Sequence, residues 1–334
     1  MPTPTPTPTP MPETPYHLQD AAREREAAAT DQLSRVHGAL GLHTAVLALL
    51  LPTGSQRALH AWQAETAALP GAAALRAHIE CLSPAARLPW LDVLLIRMRG
   101  QALATRQSLL ESTRRVMAAH GVVRPLDRLH WLLMRQRLGE ASAATVHAAA
   151  QADLSRLPQS DVLAVARYSA FLSRMVPVEV GAKAHEDGHA EALTRIPAER
   201  PAEFSADISA DVPADVPAEL PGKPRAPGAI AAPAGVAWYA TVMARWERHA
   251  LVPPCEPPDS DARVYALQEL QALAWMQRPV LARDWVTAAL KHSPRGRLAD
   301  TAADALRLSC ALLDSPLPPE LERHFHAAVR AMPS

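Results

Sequence analysis

LSPAARLPWLDVLLIRMRGQ, residues 82–101, sets Leu88, Leu91, Leu95 and Met98 three or four positions apart, which places them on one face of an α-helix. The same spacing continues downstream through Leu109, Thr113 and Val116, then through Leu126, Leu129 and Leu133. Pro52, Gly71, Gly100, Gly121 and Gly139 punctuate residues 30–175 as helix breaks. Beyond a proline-rich stretch the spacing returns with Trp238, Val242 and Trp246, then Leu267, Leu270 and Ala274, then Leu298, Ala302, Ala305 and Leu312. Pro253-Pro254 and Pro257-Pro258 set the first of these groups apart. Composition agrees: 49 % of residues are hydrophobic, mostly Ala and Leu, with 3 Phe, 4 Tyr and few β-branched residues. Straight-chain side chains lose little freedom in a helix, so the predicted fold class is all-α.

Prolines divide the chain, since 16 of the 32 fall in residues 1–15 and 176–235, under a quarter of its length. Four segments follow: a disordered Pro/Thr region at 1–15, a helical domain at 16–175, a disordered acidic linker at 176–235 and a second helical domain at 236–330. The linker repeats a Pro-Ala-acid theme at Pro197, Pro201, Pro213 and Pro217 and has too little apolar surface to offset chain entropy. A flexible coil of that length spans roughly 40 Å, which leaves open whether the two helical halves pack together. The halves also echo each other. Arg106 to His120 and Arg278 to His292 are each 14 residues apart, with an apolar pair soon after the Arg and a Gly (Gly121, Gly296) soon after the His.

Charge excludes a strong long-range pull toward nucleic acid or anionic membrane, because 34 basic residues balance 34 acidic ones. Cys81, Cys255 and Cys310 are odd in number and widely separated, as buried thiols in a reducing compartment would be. The most apolar run, residues 40–51, has 12 residues and contains His43 and Thr44, whereas a spanning helix needs ~20. With no signal-peptide pattern at the start, a cytoplasmic location is expected.

GALGLHTAVLALLL (38–51), LSPAARLPWLDVLLIRMRGQ (82–101) and VMAAHGVVRPLDRLHWLLMRQRLG (116–139), followed by LRLSCALLDSPLPPEL (306–321), resemble in order the carboxy-terminal cytosolic region of bacterial membrane-anchored zinc peptidases of the HtpX type. The likeness covers residues 38–138 and 236–325, about two-thirds of the chain. Both halves resemble TerB-like helical modules, whose loop often reads Ala-Asp-Gly-x-Ile/Val before a helix carrying Glu. Here His120 and Arg295 stand at the acidic position, and Asp127 and Ala302 at or near the Glu. The glycines are kept and most carboxylates are not, so hard-cation binding, which needs several oxygen ligands, is not expected. In those peptidases the membrane helices and catalytic domain precede this region. Only about 35 residues precede the match, so the resemblance implies a chain without that domain. It also implies a partner that is itself membrane-bound, and attachment at the inner membrane through that partner.

His185-Glu186-Asp187-Gly188-His189 spells the zinc-protease pattern, in which two histidines at i and i+4 bind one zinc and the Glu between acts as general base. Asp187 and Gly188 are poor helix residues and the flanks offer no apolar face, so the letters match without the buried helix that the chemistry requires. Residues 87–137 hold ten arginines, no lysine and three acids, a net +7; residues 179–219 hold ten acids against three basic residues, a net −7. These are read as solvated faces; the alternative is an arginine-rich face that binds anions and is masked by the acidic linker. The seven tryptophans, including Trp90, Trp131, Trp275 and Trp285, are assigned to helix packing, and His60, His78 and His130 to surface or satisfied core positions. The resulting expectation is a non-catalytic helical protein-interaction or regulatory module with no cofactor. Its rivals are a zinc metallopeptidase using His185, Glu186 and His189, and anion or nucleic-acid binding through residues 87–137.

Overall fold

The computed structural model describes residues 15–121, 123–139, 157–176, 233–246 and 260–330. Among these residues there are thirteen α-helices and no strand, so the chain is all-α. In the first half α1 (Pro15–Ser34), α2 (Ala39–Leu50), α3 (Gln56–Glu65) and α4 (Ala72–Glu80) lead to α5 (Pro84–Arg99), α6 (Leu103–Ala119), α7 (Pro125–Leu138) and α8 (Gln159–Leu172). The second half contains α9 (Pro233–Met243), α10 (Ser260–Ala272), α11 (Gln277–His292), α12 (Asp300–Leu312) and α13 (Pro319–Arg330). The segments 1–14 and 177–232, read from composition as disordered, lie outside the described residues.

The stretch 82–101 forms α5, and Leu88, Leu91, Leu95 and Met98 are all buried. Leu109, Thr113 and Val116 on α6 are buried too, as are Leu129 and Leu133 on α7. The apolar run 40–51 makes α2, which is surrounded by α3, α4, α5 and α6 and buries an unbroken stretch from Thr44 to Leu50. A helix hydrophobic all round belongs at the centre of a core, and α2 is that centre for the first half. Among the described residues no helix is long and apolar enough to cross a membrane. The helix at the amino terminus goes beyond what apolar spacing marks. α1 covers residues 15–34, where Ala, Glu and Arg favour a helix without forming an apolar stripe; Ala29 and Leu33 are fully buried on it.

The two halves pack together in one buried apolar cluster running from Ala29 to Phe325. α12 lies against α7 and α5, α10 against α8, and α13 against α5. Exchanging α5, α6, α7 and α8 for α10, α11, α12 and α13 converts the α6–α7 pair into α11–α12, the α8–α10 pair into α13–α5, and leaves α7–α12 unchanged. These pairs correspond between the halves and set α8 and α13 across the seam, whereas the contacts of α5 with α7 and of α12 with α13 have no counterpart among the principal helix pairs. The seam is specific. Tyr168 Oη lies 3.1 Å from Ser309 Oγ, Trp285 Nε1 donates to Ser169 Oγ at 2.9 Å, and Trp238 Nε1 donates to the Trp285 carbonyl at 3.1 Å.

α9 starts at Pro233, three residues before the domain start expected at 236, and its first turn presses on the end of α8. A Cβ at Gly235 would collide with the backbone carbonyl of Ser173. Gly235→Ala is therefore expected to destabilise the protein by about 1–3 kcal/mol, read from urea unfolding, because neither backbone can yield cheaply. An unchanged midpoint would show that this approach is not tight.

A charged junction and an exposed tryptophan turn as candidate functional sites

Where α12 meets α5 and α13, charge is brought into the seam. Arg307 Nη2 on α12 donates to Asp92 Oδ2 on α5 at 2.9 Å, an ion pair joining residues 215 positions apart in sequence. The same guanidinium lies 4.8 Å above the Phe325 ring of α13, a cation–π contact. Asp300 Oδ1 lies 3.4 Å from His324 Nε2. Asp304 sits on α12 between Asp300 and Arg307, one turn from each. Burial, reinforced by the like charge of Asp300, pushes its carboxyl up to about 7, against the pull of Arg307 and Arg87. Arg87 on α5 turns the other way and donates from Nη2 to the Leu49 carbonyl at 3.2 Å. On α7, burial pushes the His130 imidazole down to about 4 despite the nearby Asp127 carboxylate, so it is neutral at physiological pH.

A second polar group ties α3 to α6. Arg115 donates through Nε and Nη2 to both Glu65 oxygens at 2.5 and 2.8 Å, and Ser112 Oγ adds a bond at 2.6 Å. The guanidinium, joined by the serine hydroxyl and set against the cost of burial, brings the Glu65 carboxyl down to about 2. His120 Nδ1 lies 3.0 Å from Ser55 Oγ, and the Ser55 hydroxyl also accepts from Ala58 N at the start of α3. At the start of α7, Asp127 accepts from the Arg124 backbone N–H at 3.0 Å and pairs with its guanidinium at 2.8 Å. Of the positions compared with the TerB-like acidic loop, Asp127 thus serves helix capping and His120 touches the Ser55 cap. Gly121 and Gly296 both have left-handed φ, +87° and +63°, and Arg295 shares that conformation at +56°.

The arginine-rich stretch 87–137 does much of its work inside the molecule. Arg97 Nη1 donates to the carbonyls of Leu33 and Ser34 at the end of α1 and of Val36 just past it, at 3.2–3.3 Å. Arg106 Nη1 donates to the Leu138 carbonyl at the end of α7, at 3.0 Å. With Arg87 on the end of α2, and Arg115 and Arg124 on carboxylates, at least five of the ten arginines are held by groups of the fold. Helix carboxy-terminal carbonyls carry partial negative charge and lack intrahelical donors, which is what a guanidinium fork supplies. Arg278 repeats the device in the second half, donating from Nη1 to Leu313 at the end of α12 at 3.2 Å and from Nε to Leu273 at the end of α10 at 3.0 Å. The Arg106–Arg278 echo in the sequence therefore reflects a shared structural role, in which each arginine, near the start of a hairpin's first helix, caps its second.

Trp90 and Trp285 are fully buried and Trp131 is partly buried. Trp275 is not, and its assignment to packing is corrected: it is 76 % exposed, beside Met276 at 51 %. The spacing Leu267, Leu270, Ala274 suggests that the helix continues, but α10 ends at Ala272 and residues 273–276 turn into α11. Pro279, in the first turn of α11, is the signal for a new helix start. Of the thiols, Cys310 is buried, which pushes its pKa up to about 12, and Cys81 is partly buried; Cys255 lies outside the described residues.

His185, Glu186 and His189 also lie outside the described residues, so their reading as zinc ligands and base stands as a sequence match alone. Among the described residues no three His, Cys, Asp or Glu side chains are grouped to hold a metal ion.

The fold and these sites define an all-α protein of two interlocked helical halves, with charge concentrated at helix ends and at one seam. Comparison with protein-family models, with curated proteins and with solved structures finds no match to the chain.

Proposed function

We propose that this chain is a non-catalytic helical protein-interaction module whose contact surface is built around the Trp275–Met276 turn. The observation that carries the reading is the exposure of these two adjacent large apolar side chains on a short turn between packed helices. Tryptophan is the residue type most enriched among interface hot spots, and methionine adapts its shape to a partner. In support, Arg87, Arg97, Arg106 and Arg278 are spent on helix-end carbonyls, and Arg115, Arg124 and Arg307 on ion pairs within the fold. The sequence resemblance to the tail of HtpX-type peptidases supports a partner that is itself membrane-bound, with this chain peripheral to the inner membrane through that partner.

A photoreactive phenylalanine analogue at position 275 is expected to form one discrete protein adduct in cells, absent when the analogue is at Arg137. Trp275→Ser is expected to abolish co-purification of that adduct's protein while shifting stability by no more than about 0.5 kcal/mol, as for other exposed positions. Equal labelling from both positions would remove the reading. The sequence pattern at His185, Glu186 and His189 sustains the rival reading, a zinc peptidase. Tight one-to-one zinc after dialysis, with proteolysis lost in Glu186→Gln, would establish it instead.

A further inference from the structure

At least five arginines of residues 87–137 are spent inside the fold; a line of uncommitted cations lies instead along α11. The exposed positions of α11 are Arg283, Thr287 and Lys291, spaced four apart and so on one edge of the helix. Met276, with helical dihedrals just before α11, extends that edge at its start, and the exposed residues Pro294, Arg295, Gly296 and Arg297 follow its end. Residues 273–299 hold five Arg and Lys residues and one acid. The acid, Asp284, is spent on Arg245, and Arg278 on the carbonyls of Leu273 and Leu313. Among the described residues no hydrogen bond or ion pair holds Arg283, Lys291, Arg295 or Arg297. From Met276 to Lys291 the edge runs roughly 22 Å, at the helical rise of about 1.5 Å per residue.

Like charges aligned in this way repel one another, and opposite charge laid along them relieves the repulsion. The line is narrow. α11 packs against both α9 and α12. α9 carries no charged residue from Pro233 to Met243 and exposes Val236 and Ala240, while α12 opens on the exposed Asp300. A bilayer or a nucleic-acid duplex, broader than one row of side chains, would also meet the uncharged α9 or the carboxylate of Asp300; a single peptide segment meets the cations alone. We propose that a carboxylate-rich segment of the protein partner lies along this edge, with apolar residues at Trp275 and Met276 and acids on Arg283, Lys291, Arg295 and Arg297. The inference rests on the reading of the Trp275–Met276 turn as the contact surface and adds the chemistry that this surface receives.

Two measurements on the full chain test this. Titration of the purified protein with poly-L-glutamate is expected to shift the NMR amide signals of residues 283–297. Affinity is expected to fall about tenfold in Arg283→Gln/Lys291→Gln, whose unfolding midpoint stays unchanged because both positions are exposed. Trp275→Ser is expected to leave polyglutamate binding intact, which separates this edge from the turn. In cells, a photoreactive phenylalanine analogue at Thr287 is expected to capture the same protein as one at position 275, through a peptide in which Asp and Glu outnumber Lys and Arg. Capture at 275 with none at 287 would overturn the acidic segment and leave the turn as the contact surface; no capture at 275 removes the reading on which both rest. The proposal is also overturned if polyglutamate shifts none of these amides while phosphatidylglycerol vesicles or duplex DNA do. An adduct at 287 on lipid, on nucleic acid or on residues 177–232 of the chain itself has the same consequence.

Discussion

Trp285→Ala is expected to lower the unfolding free energy by roughly 3–5 kcal/mol, the range for removing a large aromatic side chain from a core that cannot close over the gap. Trp285 is fully buried on α11, its ring centroid lies 5.5 Å from that of Tyr168, its indole N–H bonds Ser169, and its carbonyl receives Trp238. Three helices from both halves thus lose contacts at once. Trp285→Phe retains a ring against Tyr168 but leaves Ser169 without its donor, and a loss of about 1–2 kcal/mol is expected. Urea unfolding followed by circular dichroism measures both. A cost below about 1 kcal/mol for the alanine variant would mean that the seam around Tyr168 is not closely packed.

The second large effect concerns the chain cut in two. Residues 1–176 and 177–334 produced as separate chains are expected to co-purify one to one, and each alone to lose its cooperative unfolding transition. α8 buries Val162, Val165, Tyr168, Phe171 and Leu172, and its main neighbour is α10, in the other half. α13 in turn buries Leu321 and Phe325, and packs on α5 as well as on α12. Each such side chain left in water forfeits about 1.5–3 kcal/mol, more in total than the margin that holds a typical domain folded. Two halves that each unfold cooperatively alone and fail to bind each other would show that the exchanged helices are ornaments to two independent cores.

The all-α class and the buried faces of α5, α6 and α7 were legible in the sequence because helical period and core face are local properties, set by residues three and four apart. What the arginines do was not legible. The charge count of residues 87–137 invites a surface reading, yet Arg97 and Arg106 reach carbonyls more than thirty positions away, on helices whose placement depends on the whole fold. The Arg106–Arg278 echo was visible, but its meaning as two caps emerges only once α7 and α12 are in place. Trp275 is misassigned by spacing because the apolar period carries across the end of α10, and the Pro279 start signal competes with it from three residues beyond the turn. The junction at Arg307 brings together residues from three helices, so no window of sequence contains it.

The exchange of last helices also sets a timetable. One hundred residues separate the end of α8 at Leu172 from the end of α10 at Ala272. At ribosomal speeds of about 5–20 residues per second, the apolar face of α8 waits roughly 5–20 s for its partner to be made. During that interval Tyr168 lacks its partners Trp285 and Ser309. Nascent chains of this protein should therefore depend on chaperone binding around α8, and synonymous changes that slow translation after residue 176 should lower the soluble yield without altering the finished molecule.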